Sequence, residues 1–447
     1  MRVGIVGGGA LGLAAAYQLT RDGHQPAVYE RAPVLGGQAS TFDVGGGRLE
    51  RGYHHLFKSD RYIVELIHEI GLGHRLVWLE SKVGFFHGGK IYPFTTPADL
   101  LRFKPLSPFN RLKAGLLTLY LQRKRYWPRE YEGINAEAWI KKYGGKQIFD
   151  VIWDPMLRGK FGASASEVSM AWLWGKIYLR TSSRGKGLFS KESLGYPMGS
   201  FGEIFEVLEQ KIREGGGEVH YPSTINRIVV EEGRATGLDI THEDGTRETR
   251  QFDAILSTTP SSIFPRLVPE LPEDYKRYLT PVKYQAAAIV VMVLDRPFTW
   301  AYWLNIADRS IPFVGVIEHT NYVDKSHYGG NHIVYLSNYL GKETEMYAMD
   351  PEELWRRYIP ALKKINPEFD ESWVKERFYH REDAAQPIIG VDYSKRIPPL
   401  KTPIESLWLA NTTQIYPEDR GTNYSVRLGR QMAKVITGQE PDRMWWE

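Results

Sequence analysis

An α/β fold built on a parallel sheet is what this sequence predicts, and three stretches predict it. The first is the opening "MRVGIVGGGALGLAAAYQL", where Gly4, Gly7, Gly8, Gly9 and Gly12 crowd into twelve residues. The second is "EVHY" and, further on, "FDAILSTTP", short strand-like runs that return to the same sheet after a helix and the Gly215-Gly216-Gly217 turn. The third is the pair "QAAAIVVMVLD" and "HIVYLSNYL", Val/Ile/aromatic runs that suit a second, antiparallel layer.

Taken in order, "RVGIV" reads as a buried parallel strand and "ALGLAAAYQLTRDG" as the helix after it, ended by Gly23. "QPAVYE" is the second strand, with Glu30 at its end. Between the first strand and the helix, Gly7, Gly9 and Gly12 spell G-x-G-x-x-G, which completes the Rossmann-type dinucleotide fingerprint. Gly7 makes the tight turn, Gly9 admits a pyrophosphate to the backbone, and Gly12 lets the helix seat on the sheet. The unpaired N–H groups at the helix head, at Ala10 and Leu11, favour an anion. Glu30, with Arg31 beside it, is placed to meet the ribose hydroxyls. A second glycine loop follows at Gly36, Gly37, Gln38 and Ala39, and another close backbone approach there suits a longer cofactor such as FAD.

The run "GIVGGGALGLAAAYQLTRDGHQPAVYERAPVLGGQAST" resembles the N-terminus of the flavin amine oxidase, protoporphyrinogen oxidase and phytoene desaturase superfamily. Gln38 stands where many members carry Arg or Lys. The likeness continues through "GGGRLERGYHHLFKSDRYIVELIHEIGLGHRLVW", which in the family runs past the isoalloxazine ring and makes His54 and His55 candidate flavin neighbours, or else packed and exposed histidines. It extends through residues 196–260, where in the family the backbone at the position of Ile225 reads the adenine edge, and Thr258, where "FDAILSTTP" returns a strand to the nucleotide domain, is a further candidate cofactor contact. It ends in "LWLANTTQIYPEDRGTNYSVRLGRQMAKVI", in the place of the last FAD motif. There Asn411-Thr412 replaces Gly-Asp, Tyr424-Ser425 replaces Gly-Ala before Val426, and Gly429 is retained.

The resemblance implies a glutathione reductase-2-like or amine oxidase-like architecture. Residues 1–80, 196–262 and 400–447 form the FAD-binding domain. Residues 81–195 and 263–399 form a discontinuous mixed-sheet substrate domain, with a helical cap at 95–195.

Other elements follow from local pattern. "VGFFHGGKIYPF" is a hairpin turning at Gly88-Gly89, and "INRIVVEEGRATGLDITHEDG" alternates as hairpin strands. "WDPMLRGKFGASASEVSMAWLWGKI" resembles the family's middle segment, and the resemblance implies a proline-rich turn leading into a helix. His68 and His74 lie six apart, about 240° around a helix, which is not a metal-binding i, i+4 pair.

Composition excludes several classes. There is no cysteine in 447 residues, which removes disulfides, thiolate metal sites and a cysteine nucleophile and agrees with a reducing cytoplasm. No window is apolar enough to span a bilayer, and glycines interrupt the apolar N-terminus where a signal peptide needs a helix. The net charge of +4 is uneven: residues 102–146 hold eleven Lys/Arg against Glu130, Glu132 and Glu137. Such a local patch argues against nucleic acid as partner. Within it, "RLKAGLLTLYLQRKRYW" (111–127) is either an interfacial helix meeting anionic lipid on the inner face of the cell membrane, or a cap helix with one core face. Residues 102–130 are the candidate membrane contact.

There is no G-x-S-x-G elbow, no P-loop and no second G-x-G-x-x-G, so a flavin would be the sole redox agent. The expectation is an FAD-dependent dehydrogenase, desaturase or oxidase acting on a hydrophobic isoprenoid, carotenoid or porphyrinogen. Alternatives are an amine oxidase, a sugar-nucleotide mutase using reduced flavin, and a non-catalytic, lipid-binding escort-like protein. No catalytic base and no metal ligand stand out.

Overall fold

The computed structural model describes residues 1–123, 129–182 and 191–440. Its centre is a five-stranded parallel sheet in the order Leu407–Leu409, Ala254–Ser257, Arg2–Val6, Gln25–Tyr29, Glu218–His220. The first strand lies in the middle, with Gly4 opposite Ile255 on one side and Ala27 on the other. Alternate side chains leave it on opposite faces. Val3 and Ile5 enter a core shared with the helices Ala10–Arg21, Ser200–Glu214 and Thr422–Ile436. Val6 faces the antiparallel meander Ser223–Glu231, Arg234–His242, Arg247–Gln251. A Cβ on Gly4 would come within 2.9 Å of the Phe252 ring of that meander.

The helix Ala10–Arg21 buries a run of small residues, and Ala14, Ala15 and Ala16 are wholly inaccessible. Small side chains there let the last helix approach at backbone distance: a Cβ on Gly429 would sit 2.3 Å from the Leu11 carbonyl oxygen.

The second layer is a seven-stranded mixed sheet ordered Val374–Pro387, Tyr284–Leu294, His332–Leu340, Gly315–Glu318, Trp303–Ile306, Val83–His87, Lys90–Pro93. Only Trp303–Ile306 and Val83–His87 run parallel. The long strand Tyr284–Leu294 alternates as the sequence pattern requires. Ala288, Val290 and Met292 meet the helix Pro351–Ile365, while Ile289, Val291 and Val293 turn toward the parallel-sheet half.

Helices between residues 97 and 182 lie beyond this sheet. The proline-turn expectation for "WDPMLRGKFG" is corrected here. A π-helical turn at Phe149–Trp153 runs directly into the helix Asp154–Phe161. Pro155 falls in the first turn, where its missing N–H is not needed. The basic helix begins at Pro108 and runs to Arg123. Lys124, Arg125, Tyr126 and Trp127 of the expected segment lie outside the described residues. Ala114 and Leu121 are buried, whereas Phe109, Leu112, Leu116, Leu119 and Tyr120 are exposed. No helix among the described residues is long and apolar enough to cross a membrane.

Candidate active site

Gly7 turns at φ +112°, and a Cβ there would meet the Thr258 hydroxyl at 2.3 Å. That hydroxyl donates to the Val6 carbonyl at 2.9 Å, closing the end of the sheet beneath the loop. At Gly12 a Cβ would lie 2.0 Å from the Gly7 carbonyl oxygen. The first intrahelical bond runs from the Leu13 N–H to the Gly9 carbonyl, and no side chain caps the helix. The N–H groups before Leu13, those of Ala10, Leu11 and Gly12, therefore have no intrahelical acceptor.

The second glycine loop is folded against the first. The Gly36 N–H donates to the Gly8 carbonyl at 2.9 Å, and a Cβ on Gly9 would be 3.8 Å from the Gly37 Cα. Two bare backbones thus face each other with no side chain between them. Glu30 accepts from the Gly8 N–H at 2.7 Å and the Ala32 N–H at 2.8 Å. A carboxylate has about four acceptor positions, so both oxygens keep capacity for hydroxyl donors.

Beside these loops opens a cavity of about 730 Å³ running between the parallel-sheet half and the mixed sheet. Its wall carries Glu30, Arg31, Gly37, Gln38, His54, His55 and Tyr424 from the expected set. The others are not part of that lining. Ala39 is buried, and Ile225 sits in a strand opposite Ile240 with its side chain against the meander core. Asn411 and Thr412 form a capped turn. The Asn411 Oδ1 accepts from the Thr413 N–H at 2.9 Å, and its Nδ2 donates to the Thr259 carbonyl at 2.8 Å. Ser425 and Val426 are one turn into the last helix, with Val426 buried. That helix is preceded by Gly421, has no side-chain cap, and opens its N-terminus on the cavity through Gly421, Thr422 and Asn423.

Both candidate histidines are half-buried in the cavity wall. The His54 Nδ1 lies 2.6 Å from the Gly52 carbonyl oxygen, and burial pulls its imidazole down to about 4. The His55 Nδ1 lies 2.9 Å from the Tyr302 hydroxyl, and burial pulls it down to about 3. Each is neutral at physiological pH, so neither brings a cation to the cavity. Beneath them Glu50 is fully buried, accepting from the Tyr196 hydroxyl and the Phe201 N–H. Burial pushes its carboxyl up to about 7.

Four residues not expected from the sequence stand in the same wall. The Asp419 Oδ2 receives Lys160 at 2.5 Å and Lys176 at 2.7 Å. Arg420 donates to Gln38 at 2.8 Å, Gln386 at 3.1 Å and the Tyr339 hydroxyl at 3.2 Å. Burial pulls Lys160 down to about 8, although Asp419 opposes it. The other missed residue is Asn423, whose Oδ1 accepts from the Tyr62 and Ile63 N–H groups at 2.9 and 3.2 Å. It caps the helix Arg61–Glu69 from the far end of the chain.

Two cradles that a Cβ would fill, an uncapped helix head and a ribose-facing acid beside a long cavity fit an FAD, which defines the class as a flavin-dependent oxidoreductase of the dinucleotide-binding α/β type. The chain belongs to the family described as flavin containing amine oxidoreductase, whose profile matches residues 12–417. The cofactor is FAD. A "Probable zeta-carotene desaturase" of Synechococcus elongatus is 35% identical over 329 residues, covering 66% of each chain. The 15-cis-phytoene desaturase of Capsicum annuum is 27% identical over 300 residues, which are 62% of this chain and 49% of that enzyme. Reduced UDP-galactopyranose mutase superposes with a TM-score of 0.75 over 98% of this chain and 95% of its own, at 16% identity, a likeness of fold.

Proposed function

We propose that this chain is an FAD-dependent dehydrogenase, desaturase or oxidase that takes a hydride from a hydrophobic substrate of isoprenoid, carotenoid or porphyrinogen type. The observation that supports it is the cavity itself. Part of its wall is apolar, formed by Val83, Phe85, Trp153, Met156 and Val314. Bound flavin supplies the hydride acceptor at N5. The residues of this chain bind and orient. The heads of the helices Ala10–Arg21 and Thr422–Ile436 offer N–H groups to negative charge. Gly9 and Gly37 admit the diphosphate, Glu30 takes the ribose hydroxyls, and the neutral His54 and His55 line the wall without adding charge. Aromatic rings at Tyr53, Tyr302 and Trp303 keep water from the interior. The test is anaerobic mixing of the flavin-loaded protein with prenyl lipids, carotenes, porphyrinogens and amines. Loss of the oxidised flavin band with one of the first three is expected; bleaching by amines alone refutes the reading.

The same proposal places the protein against a membrane. At about 100° per residue, Phe109, Leu112, Leu116, Leu119 and Tyr120 share roughly a 100° arc of the helix Pro108–Arg123, opposite the buried Ala114 and Leu121. The exposed Arg102, Lys104 and Arg123 flank that stripe, which suits an anionic lipid surface. Ala114 packs in the cluster that holds Phe85, with Trp153 and Met156 against it, so the stripe lies one layer from the apolar part of the cavity wall. In flotation with phosphatidylglycerol vesicles, the double substitution Leu112→Glu with Leu116→Glu is expected to abolish binding. Unchanged flotation removes this face from consideration.

A further inference from the structure

The cavity wall is not apolar throughout. It also carries a group of cations with too little negative charge to match. Lys160 and Lys176 share a single carboxylate oxygen of Asp419, which is itself more than nine-tenths buried. Arg420 has no carboxylate at ion-pairing distance among the described residues; Gln38, Gln386 and Tyr339 hold its three nitrogens through neutral oxygens.

Three neutral acceptors lock a guanidinium in place without neutralising it. A fixed charge in a half-buried wall is costly to keep from water unless something pairs with it. The planar fork still has an N–H to offer on each terminal nitrogen, the geometry that takes a carboxylate or phosphate in two bonds. Each lysine likewise keeps donors beyond the one given to Asp419. On the acceptor side only the Asp419 Oδ1 lacks a partner. Donors and positive charge are both in surplus in this group. The Tyr339 hydroxyl feels the same field, its pKa held below the usual range by Arg420 and Lys160, which outweigh the opposing effect of burial.

We propose that Arg420, with Lys160 and Lys176 beside it, is a subsite for an acid group on the substrate, so that the substrate is an apolar body carrying a carboxylate or phosphate and not a bare hydrocarbon. Gln38, Gln386 and Tyr339 are positioning residues that hold the guanidinium toward the cavity. The inference rests on the reading of this cavity as the substrate site, and it narrows the substrate class within that reading.

The probes are octanoate, octyl phosphate and octanol, identical in their apolar part, titrated into the FAD-loaded protein by calorimetry and by perturbation of the flavin visible band. At least one acid should bind tenfold or more tightly than the alcohol, and the tighter of the two names the acid group. Arg420→Gln should remove that preference, while Arg420→Lys, which keeps the charge and loses the fork, should keep part of it. Octanol affinity and the FAD dissociation constant should stay within threefold of wild type in both variants. Acids binding no better than octanol overturn the inference, as does an Arg420→Gln variant that weakens FAD and leaves the acid preference intact, since the cation then serves the cofactor. Failure of the wild-type protein to hold FAD is a separate result, seen before any probe is added, and it counts against the proposed function itself.

Discussion

Gly12→Ala isolates the physical basis of the cofactor site in one methyl group. The added Cβ falls 2.0 Å from the Gly7 carbonyl oxygen. Reaching even 3.0 Å requires the helix head to withdraw by about 1 Å, because the opposing atom is backbone in the tight turn and cannot rotate away. Overpacking of this kind costs about 1–3 kcal/mol. The displacement also misaligns the N–H groups of Ala10 and Leu11, whose interaction with an anion is worth about 0.3–2 kcal/mol. A combined loss of about 2 kcal/mol in FAD binding corresponds to roughly a 30-fold rise in Kd. Titration of apoprotein with FAD, followed by quenching of flavin fluorescence, measures it directly. Gly115→Ala is the matched control. Its Cβ would be 3.9 Å from Leu100 in the middle of the helix Pro108–Arg123, and helix propensity predicts stabilisation of up to about 1 kcal/mol with no change in FAD affinity. A Gly12→Ala protein with a Kd within threefold of wild type would refute the argument.

Two further outcomes follow from buried polar groups. The Glu50 carboxyl is raised from 4.5 to about 7 in the fold, so between those values the folded chain holds a proton that the unfolded chain has released. Stability from this group is complete below pH 4.5 and is lost as pH rises toward 7, a total on the order of 3 kcal/mol. Glu50→Gln should therefore flatten the decline in Tm between pH 5 and 7, and an unchanged slope would show that the carboxyl is not the source. Asn423→Ala removes the acceptor for two buried N–H groups of the helix Arg61–Glu69, and urea titration should report a loss of about 1–3 kcal/mol.

The glycine loops were legible because their meaning is local: spacing, a strand before, a helix after and an acid at the end of the next strand all lie within thirty residues. The hairpins at Gly88-Gly89 and Glu232-Gly233 were legible for the same reason. Lys160, Lys176, Asp419 and Arg420 were not, since each alone looks like a charge on a solvated helix or loop. Only tertiary folding brings the helices Asp154–Phe161 and Met170–Ser182 to the loop before the last helix. Asn423 was hidden likewise, capping a helix some 360 residues away in sequence. Around 111–127 the sequence left two readings because an apolar face looks the same whether it meets a core or a lipid. Solvent exposure of Phe109, Leu112 and Leu116 is a property of the fold and cannot be counted from residues.

The contact of Gly429 with the Leu11 carbonyl joins the two extremes of the polypeptide at backbone distance. During synthesis the opening βαβ unit leaves the ribosome hundreds of residues before its last neighbour exists. Until then its small-residue face is bare and prone to wrong association. The helix head that meets the cofactor thus gains its last packing partner only when the segment carrying Gly429 has folded onto it.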